Sequence, residues 1–202
     1  MTLKIRLVER HVLQRHQLVV AFHLGDLERL SVRAESLSGR SSQLEVGLVS
    51  GELPRFCGAQ AQGCSPVATA FGEGWEVCKP QKPDTIAKSL AIGDPADGVY
   101  ALERARQTSG AIESVSDDEI RAGIKLLAET TGIFTETAGG VTIGVLAKLA
   151  EAGAIGSDER VVAYITGEGL KTLDAARESF HMHEIEPSLD AFDREFEAAA
   201  PA

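Results

Sequence analysis

Between Pro54 and Thr166 the hydrophobic and polar positions follow two alternating rhythms. Short segments with a strand's alternation or a continuous apolar run stand at "PRFCGAQA", "AIESVS" (111–116) and 160–166, where Val161-Val162-Ala163-Tyr164 is unbroken. Helical patterns separate them. Ser65-Pro66 opens a helix towards Phe71, and a second helix spans about 98–109. Ser116, followed three residues on by Glu119, is a capping box that starts a helix over 117–131. Ile143, Leu146, Ala147 and Ala150 recur at helical spacing in a helix over 138–152. "KPQKPDT" reads as a proline-rich loop ending in a helix cap at Asp84/Thr85, and "DPADG" as a turn. Strands alternating with helices of this length imply parallel βαβ units, so the expected fold class is α/β.

The first 43 residues follow a different pattern. Leu3, Ile5 and Leu7 alternate with Lys4 and Arg6 as in a short strand, Val12 to Leu24 suits helix or strand, and "SLSGRSS" (36–42) marks a boundary loop. Charge divides at the same place. Residues 1–43 hold seven Lys/Arg against four Asp/Glu, a net of +3, whereas the rest hold 13 against 26, a net of −13. That discontinuity suggests a segment of separate origin. Its basic residues are scattered among Leu, Val and Phe instead of clustering with aromatics, which argues against a nucleic-acid arm. The longest apolar runs, Leu18 to Phe22 and Val141 to Ala150, fall short of the roughly 20 residues a membrane helix needs. With charges spread through the N-terminus and no cleavable signal, the expectation is a cytoplasmic protein without membrane partners. Three cysteines with no CxxC pair give no disulfide framework or zinc knuckle.

Chemistry concentrates near 130–172. "ITGEGLKT" (165–172) sets Thr166, Gly167 and Gly169 directly after an apolar strand. In an open α/β sheet ligands bind beyond the carboxyl ends of strands, and glycine there lets a ligand approach the backbone. The stretch is therefore either one wall of a site or an ordinary Gly-rich turn. "TAGGVT" (137–142) imitates a phosphate-cradling loop before a helix. His11, His16 and His23 do not share a helix face, and the "HMH" at 181–183 has no third ligand nearby in sequence, so no metal site is expected.

Four stretches, "LPRFCGAQAQGCSPV", "PDTIAKSLAIGDPADG", "GIFTETAGGVTIGVLAKLAEAG" and "VVAYITGEGLKT", in order and suitably separated, resemble threonine synthase, of the tryptophan-synthase-β-like (fold type II) pyridoxal-phosphate enzymes. The tail "EPSLDAFDREF" is similar to that family's C-terminal end. The resemblance implies a partial three-layer sheet of mainly parallel strands with flanking helices, and the conversion of O-phosphohomoserine and water to threonine and phosphate on pyridoxal phosphate. It implies that the Thr166 hydroxyl meets the pyridine nitrogen, that Gly167 leaves room for the ring, and that Glu136 lies near the cofactor. Glu136 has a plainer reading as a charge favoured at a helix N-terminus. Cys64 matches a helix-start position, which favours a buried thiol over a nucleophile.

The resemblance covers about residues 44–200, so the expected division is 1–43 and 44–202; residues 1–43 match nothing in the family. Its Schiff-base lysine and its phosphate-gripping loop belong to an earlier region. Lys4, Lys79, Lys82, Lys88, Lys125, Lys148 and Lys171 do not stand in that lysine's motif. The expectation is a C-terminal portion of a threonine synthase behind an unrelated N-terminal stretch, with no catalytic residue of its own to assign. Other readings are a threonine/serine dehydratase-like enzyme, and a non-catalytic fragment acting through a partner, as a homo-oligomer or with a full-length homologue.

Overall fold

The computed structural model describes residues 17–20, 53–176 and 184–197. Strands β1 (Gln17–Val20), β2 (Arg55–Ala61), β3 (Ile112–Val115) and β4 (Arg160–Ala163) form a sheet in the order β3-β2-β1-β4. Each described pair is parallel: Leu18 lies opposite Arg55 and Val161, and Gly58 opposite Ile112. An all-parallel sheet needs cover on both faces, and the helices supply it.

Helices α1 (Pro66–Gly72) and α2 (Gly98–Gln107) pack on one face, where Val67, Ala70, Leu102, Ala105 and Ile112 form a buried cluster. Across the sheet, Cys57, Ala59, Ala61 and Val115 meet α4 (Thr137–Glu151), over which lies α3 (Asp117–Thr131). Alternate residues of β2 thus serve opposite layers, as the period of a strand requires. The described residues have the three-layer α/β architecture expected from the sequence.

Local chemistry explains most element ends. The capping box at α3 is present: Ser116 Oγ accepts from the Glu119 backbone N–H at 3.3 Å, and the Ser116 N–H donates to the Glu119 carboxylate at 2.7 Å. Gly132, at φ +75°, closes the same helix in the left-handed conformation. Ser65, by contrast, makes no side-chain cap on α1; the amide oxygen of Gln60 accepts from the N–H groups of Val67 and Ala68 instead.

Two expectations are corrected. No α-helix follows Asp84/Thr85; the chain makes only a 3-10 turn at Lys88–Leu90. Thr85 Oγ1 donates to Asp117 at 2.7 Å and accepts from the Ala87 N–H, so it ties this loop to the start of α3. Strand β4 ends at Ala163, which leaves Thr166 in the following loop. Within Val12 to Leu24, Gln17–Val20 is strand. The readings at Leu3 to Leu7, at the three N-terminal histidines, at 36–42 and at 181–183 lie outside the described residues. The tail similar to the family's end carries helix α5 (Leu189–Glu197). Among the described residues no helix is long and apolar enough to cross a membrane.

Candidate active site

Because the strands are parallel, their carboxyl ends share one edge, and the segments beginning at Gln62, Ser116 and Tyr164 leave from it. This edge is where an open α/β sheet receives ligands. Three residues beyond β4, Thr166 is half-buried, and among the described residues no hydrogen bond engages its hydroxyl.

The loop carrying Thr166 is stitched to the segment leading into α4. The Gly167 carbonyl accepts from Thr135 Oγ1 at 2.9 Å and from the Glu136 N–H at 3.2 Å, and the Gly169 N–H donates to the Phe134 carbonyl at 3.1 Å. The approach is so close that neither glycine has room for a side chain. A Cβ at Gly167 would stand 2.6 Å from Glu136 Cγ and nearer still to its carboxylate; one at Gly169 would overlap the Phe134 ring. Thr166, Gly167 and Glu136, some 30 positions apart in sequence, thereby occupy one corner of the edge.

Glu136 is the N-cap residue of α4, but its side chain makes no capping bond. It is 7% exposed, and no described donor pairs with its carboxylate. Next to it the Thr137 N–H donates to Thr172 Oγ1 at 3.1 Å, while the Thr137 hydroxyl is buried without a partner. Buried polar groups are ordinarily satisfied, and among the described residues the Thr137 hydroxyl, at the N-terminus of α4, is the exception. Sequence reasoning passed over Thr135, Thr137 and Thr172. Their only signal was the density of hydroxyl residues in "TET" and at the end of "GLKT".

Other candidates disperse. The glycines of "TAGGVT" serve packing: a Cβ on Gly140 would stand 2.6 Å from the Ile120 carbonyl, and one on Gly123 would overlap the Gly140 carbonyl, so α3 and α4 touch backbone to backbone. Cys64 is fully buried, and burial raises its thiol above the ordinary range, as it does for Cys57, which makes both poor nucleophiles. Lys148 pairs with Glu113 at 3.0 Å, Lys125 with Glu129 at 3.7 Å, and Lys79 lies over the Trp75 ring. Lys171 is exposed on the 3-10 segment Gly169–Ala175.

The sequence model of the family described as pyridoxal-phosphate dependent enzymes matches residues 38–167, most of the chain and all of this corner except Gly169 and Thr172. The chain belongs to that family. The cofactor of that family is pyridoxal phosphate. The threonine synthase of Methanocaldococcus jannaschii is 40% identical over 154 residues, covering 75% of this chain and 38% of the relative. That of Methanosarcina acetivorans is 39% identical over 124 residues, covering 61% and 31%. The chain therefore spans about a third of the length of the curated relatives it matches. Among solved structures, the processed form of threonine deaminase isoform 2 from Solanum lycopersicum superposes with a TM-score of 0.56 at 19% identity, covering 83% of this chain and 45% of that one. At that identity the likeness establishes the fold, that of the fold type II pyridoxal-phosphate enzymes.

Proposed function

We propose that the chain carries the C-terminal part of a threonine-synthase-type active centre, in which Thr166, Gly167 and Glu136 hold the ring end of pyridoxal phosphate. The observation that carries this reading is the corner itself. An unengaged hydroxyl, a glycine whose face is covered by the Glu136 carboxylate, and that carboxylate itself, with no described donor, converge at the carboxyl edge of a parallel sheet. These groups suit the cofactor. The Thr166 hydroxyl is a neutral donor for a pyridine nitrogen, Gly167 lets the Glu136 carboxylate come close to the backbone beside it, and Glu136 offers an acceptor to a hydroxyl or ammonium group. Bound there, the cofactor would supply the electron sink for carbanion chemistry. A hydroxyl at the ring nitrogen, unlike a carboxylate, would leave that nitrogen unprotonated and so temper the sink.

Identities near 40% to threonine synthases support O-phosphohomoserine as the substrate. On this reading the Schiff-base lysine and the phosphate grip come from the portion of the relatives that this chain does not match, and the residues before the family match, which begins at 38, are of separate origin. The test measures phosphate release from O-phosphohomoserine with pyridoxal phosphate present. One sample is the chain alone; in the other, residues 44–202 are joined to the lysine-bearing upstream portion of a threonine synthase. Turnover by the joined protein and none by the chain alone is the expected result. Ammonia release from threonine without phosphate release from O-phosphohomoserine would assign a dehydratase instead. A folded, cofactor-loaded joined protein with neither activity would refute the proposal.

A further inference from the structure

We propose that Gln17–Val20, outside the family-matched region, act in cis as a surrogate strand that fills a strand-wide slot between β2 and β4 and so positions the Thr166 corner.

The family match begins at residue 38, yet the sheet order β3-β2-β1-β4 puts residues 17–20 between two matched strands. Among the described residues β4 pairs with no other strand, so β4 joins the sheet only through β1. Removing β1 would separate β2 from β4 by about two strand spacings, roughly 9–10 Å, and leave a row of unpaired backbone groups on each. The width of the slot is set independently. At its amino-terminal end the Arg55 guanidinium donates to both Glu159 carboxylate oxygens, at 2.7 and 2.6 Å, and to the Ala154 carbonyl at 3.2 Å. Arg55 opens β2 and Glu159 immediately precedes β4, so this clamp spans the intervening strand. At the other end Val20 lies opposite Ala163, and Thr166 follows three residues later.

Such a slot makes few demands on sequence. Its ladder bonds are made by backbone, and a parallel strand flanked on both sides needs only extended, largely apolar, proline-free residues, which "QLVV" provides in Leu18, Val19 and Val20 after one polar residue, Gln17. This explains how a segment outside the family match can serve. It also identifies the kind of partner the slot would take in trans: a short apolar strand, such as the portion of a longer relative that this chain does not match.

Amide hydrogen exchange by mass spectrometry on the full chain tests the assignment, with light scattering recording the oligomeric state. The expected result is a monomer in which 17–20 exchange as slowly as 55–61. Val19→Pro, which removes a ladder N–H, should expose both 160–163 and 17–20 and lower the thermal midpoint by roughly 5 °C or more. Val19→Ala keeps the N–H and should retain the protection. Free exchange at 17–20 while 55–61 stay protected would overturn the proposal, whether or not Val19→Pro folds. Protection found only in a dimer would overturn the assignment in cis, because the strand would then be exchanged between copies.

Discussion

Gly167→Ala isolates the contact on which the proposed cofactor corner rests. The added methyl would lie 2.6 Å from Glu136 Cγ and nearer still to its carboxylate, where unstrained carbon contacts lie at about 3.5–4.0 Å, so one side must move by at least about 1 Å. The backbone resists, because the Gly167 carbonyl is held by Thr135 Oγ1 and the Glu136 N–H. Glu136 must therefore swing from its buried position, at a typical overpacking cost of about 1–3 kcal/mol. Opposing this is the smaller conformational freedom of alanine in the unfolded chain, about 0.4–1 kcal/mol, available because Gly167 does not occupy the left-handed region. The single substitution gives a small net loss that by itself proves little. The decisive measurement is a double-mutant cycle with Glu136→Ala, since removing the carboxylate deletes the clash and leaves the unfolded-state gain. Gly167→Ala should then stabilise the Glu136→Ala protein, with a coupling energy of about 1–3 kcal/mol between the sites. Urea unfolding followed by far-ultraviolet circular dichroism and by Trp75 fluorescence measures all four proteins. Additivity within about 0.5 kcal/mol would refute the reasoning and detach Glu136 from the corner.

Gly123→Ala sets propensity against packing: helix propensity favours alanine by about 1 kcal/mol, but the methyl would overlap the Gly140 carbonyl and force α3 from α4 at an overpacking cost of about 1–3 kcal/mol, so thermal unfolding should show a net loss of up to about 2 kcal/mol in place of the gain an exposed helix position would give. Ser116→Ala should cost about 1 kcal/mol in urea unfolding, and a gain would discount the capping box. The Ser116 N–H, and then its hydroxyl, hold the Glu119 carboxyl below its usual range. Because that pKa is lowered on folding, the stabilisation is present above the unfolded value near 4.3 and is lost as pH falls through the folded value; Glu119→Gln should flatten this part of a pH series of urea midpoints. In the protein extended upstream by a lysine-bearing portion, Thr166→Val should weaken cofactor binding by about tenfold to a hundredfold, the cost of one buried hydrogen bond of about 1–3 kcal/mol, whereas Thr166→Ser should bind normally by fluorescence titration. Equal affinities for Val and Ser would reduce Thr166 to a turn residue.

What the sequence determined by itself was whatever depends on neighbours within a few positions. Helix α3 was legible to the residue, over 117–131, because a capping box and a 3.6-residue apolar period act between residues three or four apart. The α/β class followed from the alternation of such segments, and the "TGEG" turn was visible as a place where a ligand could approach. Elements whose ends depend on distant partners were misread. The strand expected over 160–166 stops at Ala163, whose partner Val20 is the last residue of β1. Thr85, expected to cap a helix, gives its hydroxyl to Asp117, 32 positions away. Of the glycines of "TAGGVT", which imitate an anion cradle, Gly140 is explained by α3 lying against it and Gly139 by the close approach of Thr135. Only the tertiary structure brought Glu136 onto Gly167, left the Thr137 hydroxyl buried without a partner, and put residues 17–20 between two strands of the family-matched region. Backbone approach, unmet hydrogen-bonding capacity and strand order depend on contacts between residues tens of positions apart, and no local pattern of polar and apolar residues encodes them.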